Sequence, residues 1–197
     1  MQSPFKLRKK DMVLFATVFV VGLAFYLIYR QGKPKTAPRD YTKYNWYKNE
    51  SGRKIVESLH PKFKPLVKEW MSKVEDELGL EIFPTSGYRT YDEQVALHNA
   101  NPSNARPGYS NHNFGTAIDV NIRKDGIITT RKSDSLDKWQ KSGVTDLAKK
   151  EGILWYGKHG TYHDPVHFHV DLNGLTTAQL REKYLAGKVD ANGYVLV

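Results

Sequence analysis

Eighteen consecutive uncharged residues, Met12–Tyr29 (MVLFATVFVVGLAFYLIY), constrain this chain more than any other feature. Coiled as a helix they extend about 27 Å, close to the roughly 30 Å hydrocarbon core of a bilayer. The run is apolar on every face, which argues against a half-buried helix of a globular core. Lys6, Arg8, Lys9 and Lys10 precede it, and Tyr26 and Tyr29 sit near its far end, where amphipathic rings favour the interface. It exceeds the usual apolar stretch of a cleavable signal, and LIYRQGKP offers no small-x-small cleavage site. The expectation is an uncleaved signal anchor. That divides the chain into a basic cytoplasmic segment at 1–11, a transmembrane span at 12–29, a linker at 30–52 and a domain at 53–197. The cations ahead of the span favour an inner N-terminus, although Arg30, Lys33, Lys35 and Arg39 beyond it weaken the bias. The chain would then be a single-pass protein of the cytoplasmic (inner) membrane, with its domain on the extracytoplasmic or periplasmic side. Tyr41, Tyr44, Trp46 and Tyr47 admit two placements, docked on the domain or lying at the lipid surface.

The net charge of +9 suggests nucleic acid until its distribution is read. Residues 1–50 hold ten Lys and Arg against three Asp and Glu, whereas residues 51–197 hold twenty against eighteen. The basic excess belongs to the N-terminal segment, so no nucleic-acid partner is expected. There are no cysteines, which excludes disulfides, thiolate metal sites and cysteine nucleophiles.

Within the body, helical spacing of Leu66, Val67, Trp70, Met71, Val74 and Leu78 predicts a helix over 65–78, stopped by Gly79. A strand is read at 81–88. Thr90 and Glu93 form a capping box opening a helix that runs to about His98. Residues 99–113 read as a long loop, and loops of that length in compact domains usually carry function. Strands at 116–121 and 126–130, one helix at 135–150, strands at 153–156 and 166–172, a helix from Thr176 to about 185 and an edge strand at 194–197 complete an α+β pattern.

Four of the seven histidines fall between His159 and His169, and His112 stands seven residues before Asp119. Histidine and aspartate are the ligands left to a cysteine-free zinc site, which needs three of them with a fourth position open for catalysis. His112, Asp119 and one late histidine meet that need. In a strand, His167 and His169 point to one face, so one ring could bind metal while the other orients a ligand. Asp164 precedes that strand at a proline-fixed turn, placed to act as a general base. A histidine-rich surface loop would have the same composition.

These residues carry a resemblance. Ser110-x-His112-x-x-Gly115-x-Ala117-x-Asp119 is similar to the SxHxxGxAxD signature of zinc peptidases with the Hedgehog/DD-peptidase fold. That family includes the VanY-like D-Ala-D-Ala carboxypeptidases and the phage endolysins that are L-alanyl-D-glutamate endopeptidases. Ser86-Gly-Tyr-Arg89 with Gln94 resembles a second family segment, and Trp155-Tyr-Gly157 leading to Asp164-x-x-His167-Phe168 a third. The resemblance implies a small antiparallel sheet flanked by helices, and one Zn2+ per chain held by His112, Asp119 and His167. His169 is a second neighbour or an alternative ligand. Asp164 is implied as the base, and Arg89 as the group that meets the scissile carbonyl or a substrate carboxylate. Gly115 would let backbone pass close to the metal. Tyr109, Ser110 and Gln94 are candidates for substrate contact, whereas His159 and His163 read as surface.

The implied function is zinc-dependent hydrolysis of the peptidoglycan stem peptide by a monomer anchored in the membrane. Aspartate at the base position resembles the endolysin branch, which favours the L-Ala–D-Glu bond. The alternatives are a D-Ala-D-Ala carboxypeptidase, or a non-catalytic, zinc-containing wall-binding module. Phage lysis and host wall remodelling are equally open settings.

Overall fold

Proline, glycine and side-chain caps set the elements of the body. The computed structural model describes residues 39–197. The expected basic segment, the span and the first part of the linker lie outside the described residues. Among the described residues, no helix is long and apolar enough to cross a membrane.

Helices α1 (Asn45–Lys48) and α2 (Glu50–Glu57) open the body, with Asn49 capping α2 through the Gly52 amide at 2.7 Å. Pro65 starts α3 (Lys64–Leu78), and Gly79 ends it at φ 61°, as the apolar spacing predicts. Strand β1 (Glu81–Ser86) leads to α4 (Tyr91–Ala100), where both halves of the Thr90–Glu93 capping box form. A loop and the 3-10 turn Asn111–Phe114 precede β2 (Ala117–Lys124) and β3 (Ile127–Thr130). Then come α5 (Leu136–Lys141), α6 (Val144–Lys150), β4 (Leu154–His159), β5 (Tyr162–His169) and α7 (Thr177–Leu185), which a Thr176–Gln179 capping box opens.

Four expectations need correction. The single helix at 135–150 is two, broken where Gly143 turns to φ 77°. Strands β4 and β5 extend toward each other as a hairpin around Gly160, so Asp164 lies inside β5 and not at a turn before it. The polar Tyr162-His-Asp164 stretch concealed this, because its alternation faces solvent and the cleft instead of the core. The expected edge strand at 194–197 is reduced to one bridge between Val189 and Val195.

The fourth concerns the domain start. The compact unit begins at Tyr41, not at residue 53. Trp46 is fully buried, with its indole N–H on Ser72 Oγ at 3.4 Å and its backbone N–H on Glu75 at 3.2 Å. An aromatic ring that buries this much surface stabilises the fold only where its polar edge finds a partner, and here it finds one. The aromatic cluster therefore docks on the body.

The sheet is antiparallel, ordered β1-β2-β5-β4. β1 takes one edge of β2, while β5 and β3 share the other end to end: β5 pairs with residues 117–119 and β3 with residues 122–124. The register sets Ser86, Asp119 and His167 side by side on three adjacent strands. Behind them, Phe168 points into the core between Trp70 and Trp139, at ring distances of 4.7 and 6.0 Å.

Candidate active site

Strand alternation delivers the first two candidate ligands. With Phe168 in the core, His167 and His169 face the opposite side, and the β2–β5 register sets His167 against Asp119. The third comes from the 3-10 turn at 111–114, which Ser110 caps by accepting the His112 amide at 3.3 Å. Gly115 ends that turn at φ 66°, and a Cβ there would lie 2.8 Å from the His60 nitrogen. It thus serves close packing against Leu59–His60 and not, as expected, close approach to the metal.

His112 is buried, and its Nδ1 lies 2.6 Å from the Gly87 carbonyl oxygen. A carbonyl only accepts, so Nδ1 carries the proton and Nε2 offers a lone pair. That lone pair meets Asp119 Oδ1 at 3.2 Å and His167 Nδ1 at 3.2 Å, while His167 Nδ1 and Asp119 Oδ1 are 3.0 Å apart. Three electron-pair donors converging on one point call for a cation among them. Their separations are close to the edges of a zinc tetrahedron, about 3.3–3.5 Å for ligand bonds of about 2.0–2.2 Å. Burial alone would raise the Asp119 carboxyl, whereas positive charge shared with His112 and His167 holds it well below the usual carboxylate range, which is what a cation among the three donors would supply. The donor set therefore fits Zn2+, and the Gly87 carbonyl fixes the orientation of one ligand from behind.

His169 stands beside this triad, its ring 5.5 Å from that of His167, and does not join it. Burial, and then the neighbouring His167, push its pKa down to about 4. Of the two late histidines, His167 is the one within reach of both other ligands.

The triad opens on a cleft of about 820 Å³ that is lined by Arg89, Tyr109, Ser110, Asp164 and His169 among others. Pro165 and Val166 are both buried, which interrupts the alternation of β5 and lets Asp164 share the cleft with His167. Arg89 donates to Gln94 Oε1 at 2.8 Å and to Ser86 Oγ at 2.9 Å. Gln94 is buried, and its amide N–H goes to the Ala105 carbonyl at 2.6 Å. It holds the guanidinium and also lines the cleft, where sequence reading expected a substrate contact. Tyr109 is half exposed at the rim, under the Arg181 guanidinium 4.8 Å from its ring. His159 lines the cleft too, whereas His163 lies on the surface with its Nε2 3.2 Å from the Asp134 carbonyl oxygen. Two further residues belong to the site. Gly87 sat inside a recognised motif, whereas Lys132, whose Nζ is 3.0 Å from Asp164 Oδ1, gave no signal in spacing or motif.

A family model described as D-alanyl-D-alanine carboxypeptidase matches residues 103–170. That segment contains His112, Asp119, Asp164 and His167. The peptidoglycan L-alanyl-D-glutamate endopeptidase CwlK of Bacillus subtilis (strain 168) is 26% identical over 175 residues, spanning 80% of this chain and 93% of its own. Among solved structures, the L-Ala D-Glu endopeptidase ChiX of Serratia marcescens aligns at a TM-score of 0.47 and 19% identity, over 62% of this chain and 87% of its own. The vancomycin-resistance D,D-pentapeptidase VanY of the VanB-type cassette, solved with Zn(II), aligns at 0.44 and 17%, over 63% and 78%. These matches point the same way as the three motifs: residues 103–170 match the D-alanyl-D-alanine carboxypeptidase model, and the chain is similar to a peptidoglycan endopeptidase.

Proposed function

We propose that this chain is a zinc-dependent peptidase, an L-alanyl–D-glutamate endopeptidase of the peptidoglycan stem peptide. The observation that carries the proposal is one cleft holding the His112–Asp119–His167 triad with Asp164 and Arg89. Aspartate at the base position and the resemblance to CwlK support the endopeptidase over the carboxypeptidase. A wall-binding module would have no need of the base and the arginine, and both are present.

Bound zinc supplies a Lewis acid and lowers the pKa of water toward about 7. The chain's own groups do the rest. Asp164 takes the proton from the attacking water, the new C–O bond forms at the alanyl carbonyl carbon, and negative charge develops on its oxygen. Arg89 spends two of its five N–H groups on Ser86 and Gln94 and keeps the others for that oxygen. Fixed in place beforehand, it stabilises the charge without reorganising. Asp164 then returns the proton to the glutamyl nitrogen as the C–N bond breaks. The products are a carboxylate on L-Ala and a free amine on D-Glu.

Mass spectrometry of purified muropeptides after incubation with the zinc-loaded chain tests the assignment. Peptides beginning at D-Glu, lost when chelator is added, are the expected products. Loss of one terminal D-Ala would move the chain to carboxypeptidase chemistry. The apolar run at 12–29 supports tethering to the inner membrane with the site facing the wall, which recovery of the chain in a carbonate-washed membrane fraction would test.

A further inference from the structure

Arg89 and Lys132 are the lysine and arginine residues among the described residues lining the cleft. Arg89 is tied to Ser86 and Gln94, but Lys132 is tied to the base itself, its Nζ 3.0 Å from Asp164 Oδ1. The two partners differ in mobility. The Asp164 side chain is 14% exposed, that of Lys132 59%, so the lysine can leave at little cost.

The loop that carries Lys132 is pinned on both sides. Arg131 N–H donates to Asp134 Oδ2 at 2.8 Å, Trp139 Nε1–H donates to the Arg131 carbonyl at 3.2 Å, and Lys138 meets Asp134 at 2.9 Å. β3 ends at Thr130, beside the stretch of β2 that β5 has left, and this delivers the loop to Asp164. The backbone of Lys132 is therefore fixed while its ammonium is free to choose a partner at the base.

The chemistry of the leaving group names that partner. Asp164 delivers its proton to the scissile nitrogen, so that nitrogen sits within hydrogen-bond reach of the carboxylate. In the stem peptide, D-Glu continues through its side-chain carboxyl, which leaves a free α-carboxylate on the carbon bonded to that nitrogen. The α-carboxylate carbon lies only about 2.5 Å from the nitrogen across two bonds. A cation parked on the base is thus already where this carboxylate must arrive.

We propose that Lys132 is the specificity clamp of the leaving-group side, moving from Asp164 to the substrate's α-carboxylate on binding. The move has a second effect: it frees Asp164 Oδ1 to take the proton from water. A substrate with the carboxylate amidated engages neither effect. This deepens the endopeptidase reading and rests on it.

The test uses the full zinc-loaded chain, wild type, Lys132→Met and Lys132→Arg. The substrates are two L-Ala-D-Glu-γ-L-Lys peptides, one with a free α-carboxylate and one with the α-amide. The same acid and amide pair of D-Glu-γ-L-Lys products is titrated by calorimetry. Wild type is expected to favour the acid about 10-fold or more in KM and in product Kd. Lys132→Met collapses both ratios toward one, and Lys132→Arg restores part of them. An acid-to-amide ratio that survives Lys132→Met, with kcat falling alike on both substrates, overturns the clamp and leaves Lys132 as a group that orients Asp164. Failure of the wild type to cut either peptide would sink the endopeptidase reading, and the product titration would still decide the clamp.

Discussion

His112 shows how a single carbonyl disposes a candidate metal ligand. The Gly87 oxygen, 2.6 Å from Nδ1, selects the tautomer that turns Nε2 toward Asp119 and His167. Gly87 itself has no room for a side chain, since a Cβ would lie 2.8 Å from Ile55 Cγ2 and 2.9 Å from the Ile55 carbonyl oxygen. Gly87→Ala must therefore displace the carbonyl, and zinc affinity should fall about 10- to 100-fold, measured by competition with a chromogenic chelator. Unchanged affinity would show that the Gly87 contact does not prepare the site. At this scale the sequence was informative: the residues proposed as ligands, base and arginine stand in motifs, and the fold brings them to one cleft. Lys132 was not legible, because nothing local marks a lysine whose partner is 32 residues away on another strand. The close packing of Gly115 against the His60 nitrogen was hidden for the same reason.

Among the elements, β5 carries the most. One face presents His167 and His169 to the cleft, and the other buries Phe168 between Trp70 and Trp139. Phe168→Ala should cost about 3–5 kcal/mol in urea unfolding, the usual range for an aromatic cut from a core. Because the strand register is anchored there, zinc affinity should fall with it. A stability loss below about 1 kcal/mol would mean that the wedge is not what fixes β5. Element identities followed from periodicity and caps, as α3 and the two capping boxes show. The miss at Gly143 arose because the apolar spacing of residues 136–150 continues across a left-handed break. The β4–β5 hairpin was underestimated because its outer half is polar.

For the whole molecule, the boundary of the body is a prediction about stability. Trp46 and Tyr44 belong to the main hydrophobic core, and Tyr44 also donates to Asp76 Oδ2 at 2.8 Å. A chain cut to begin at residue 53 loses both, and should unfold at a lower urea midpoint than one beginning at residue 39, by about 3–5 kcal/mol or more. Equal midpoints would return residues 41–52 to the linker. Zinc acts at this scale as well, because a ligand held only by the folded state stabilises it by about 2.7 kcal/mol at a hundred times its Kd. In the proposed mechanism His112, Asp119 and His167 hold zinc, while Asp164 drives hydrolysis without holding it. Zinc content and muropeptide cleavage, measured together for the wild type and for Asp164→Ala, test it most directly. One zinc per chain in both proteins, with cleavage reduced about 100-fold or more in the variant, is the predicted result. Cleavage that persists at the wild-type rate in Asp164→Ala would contradict it.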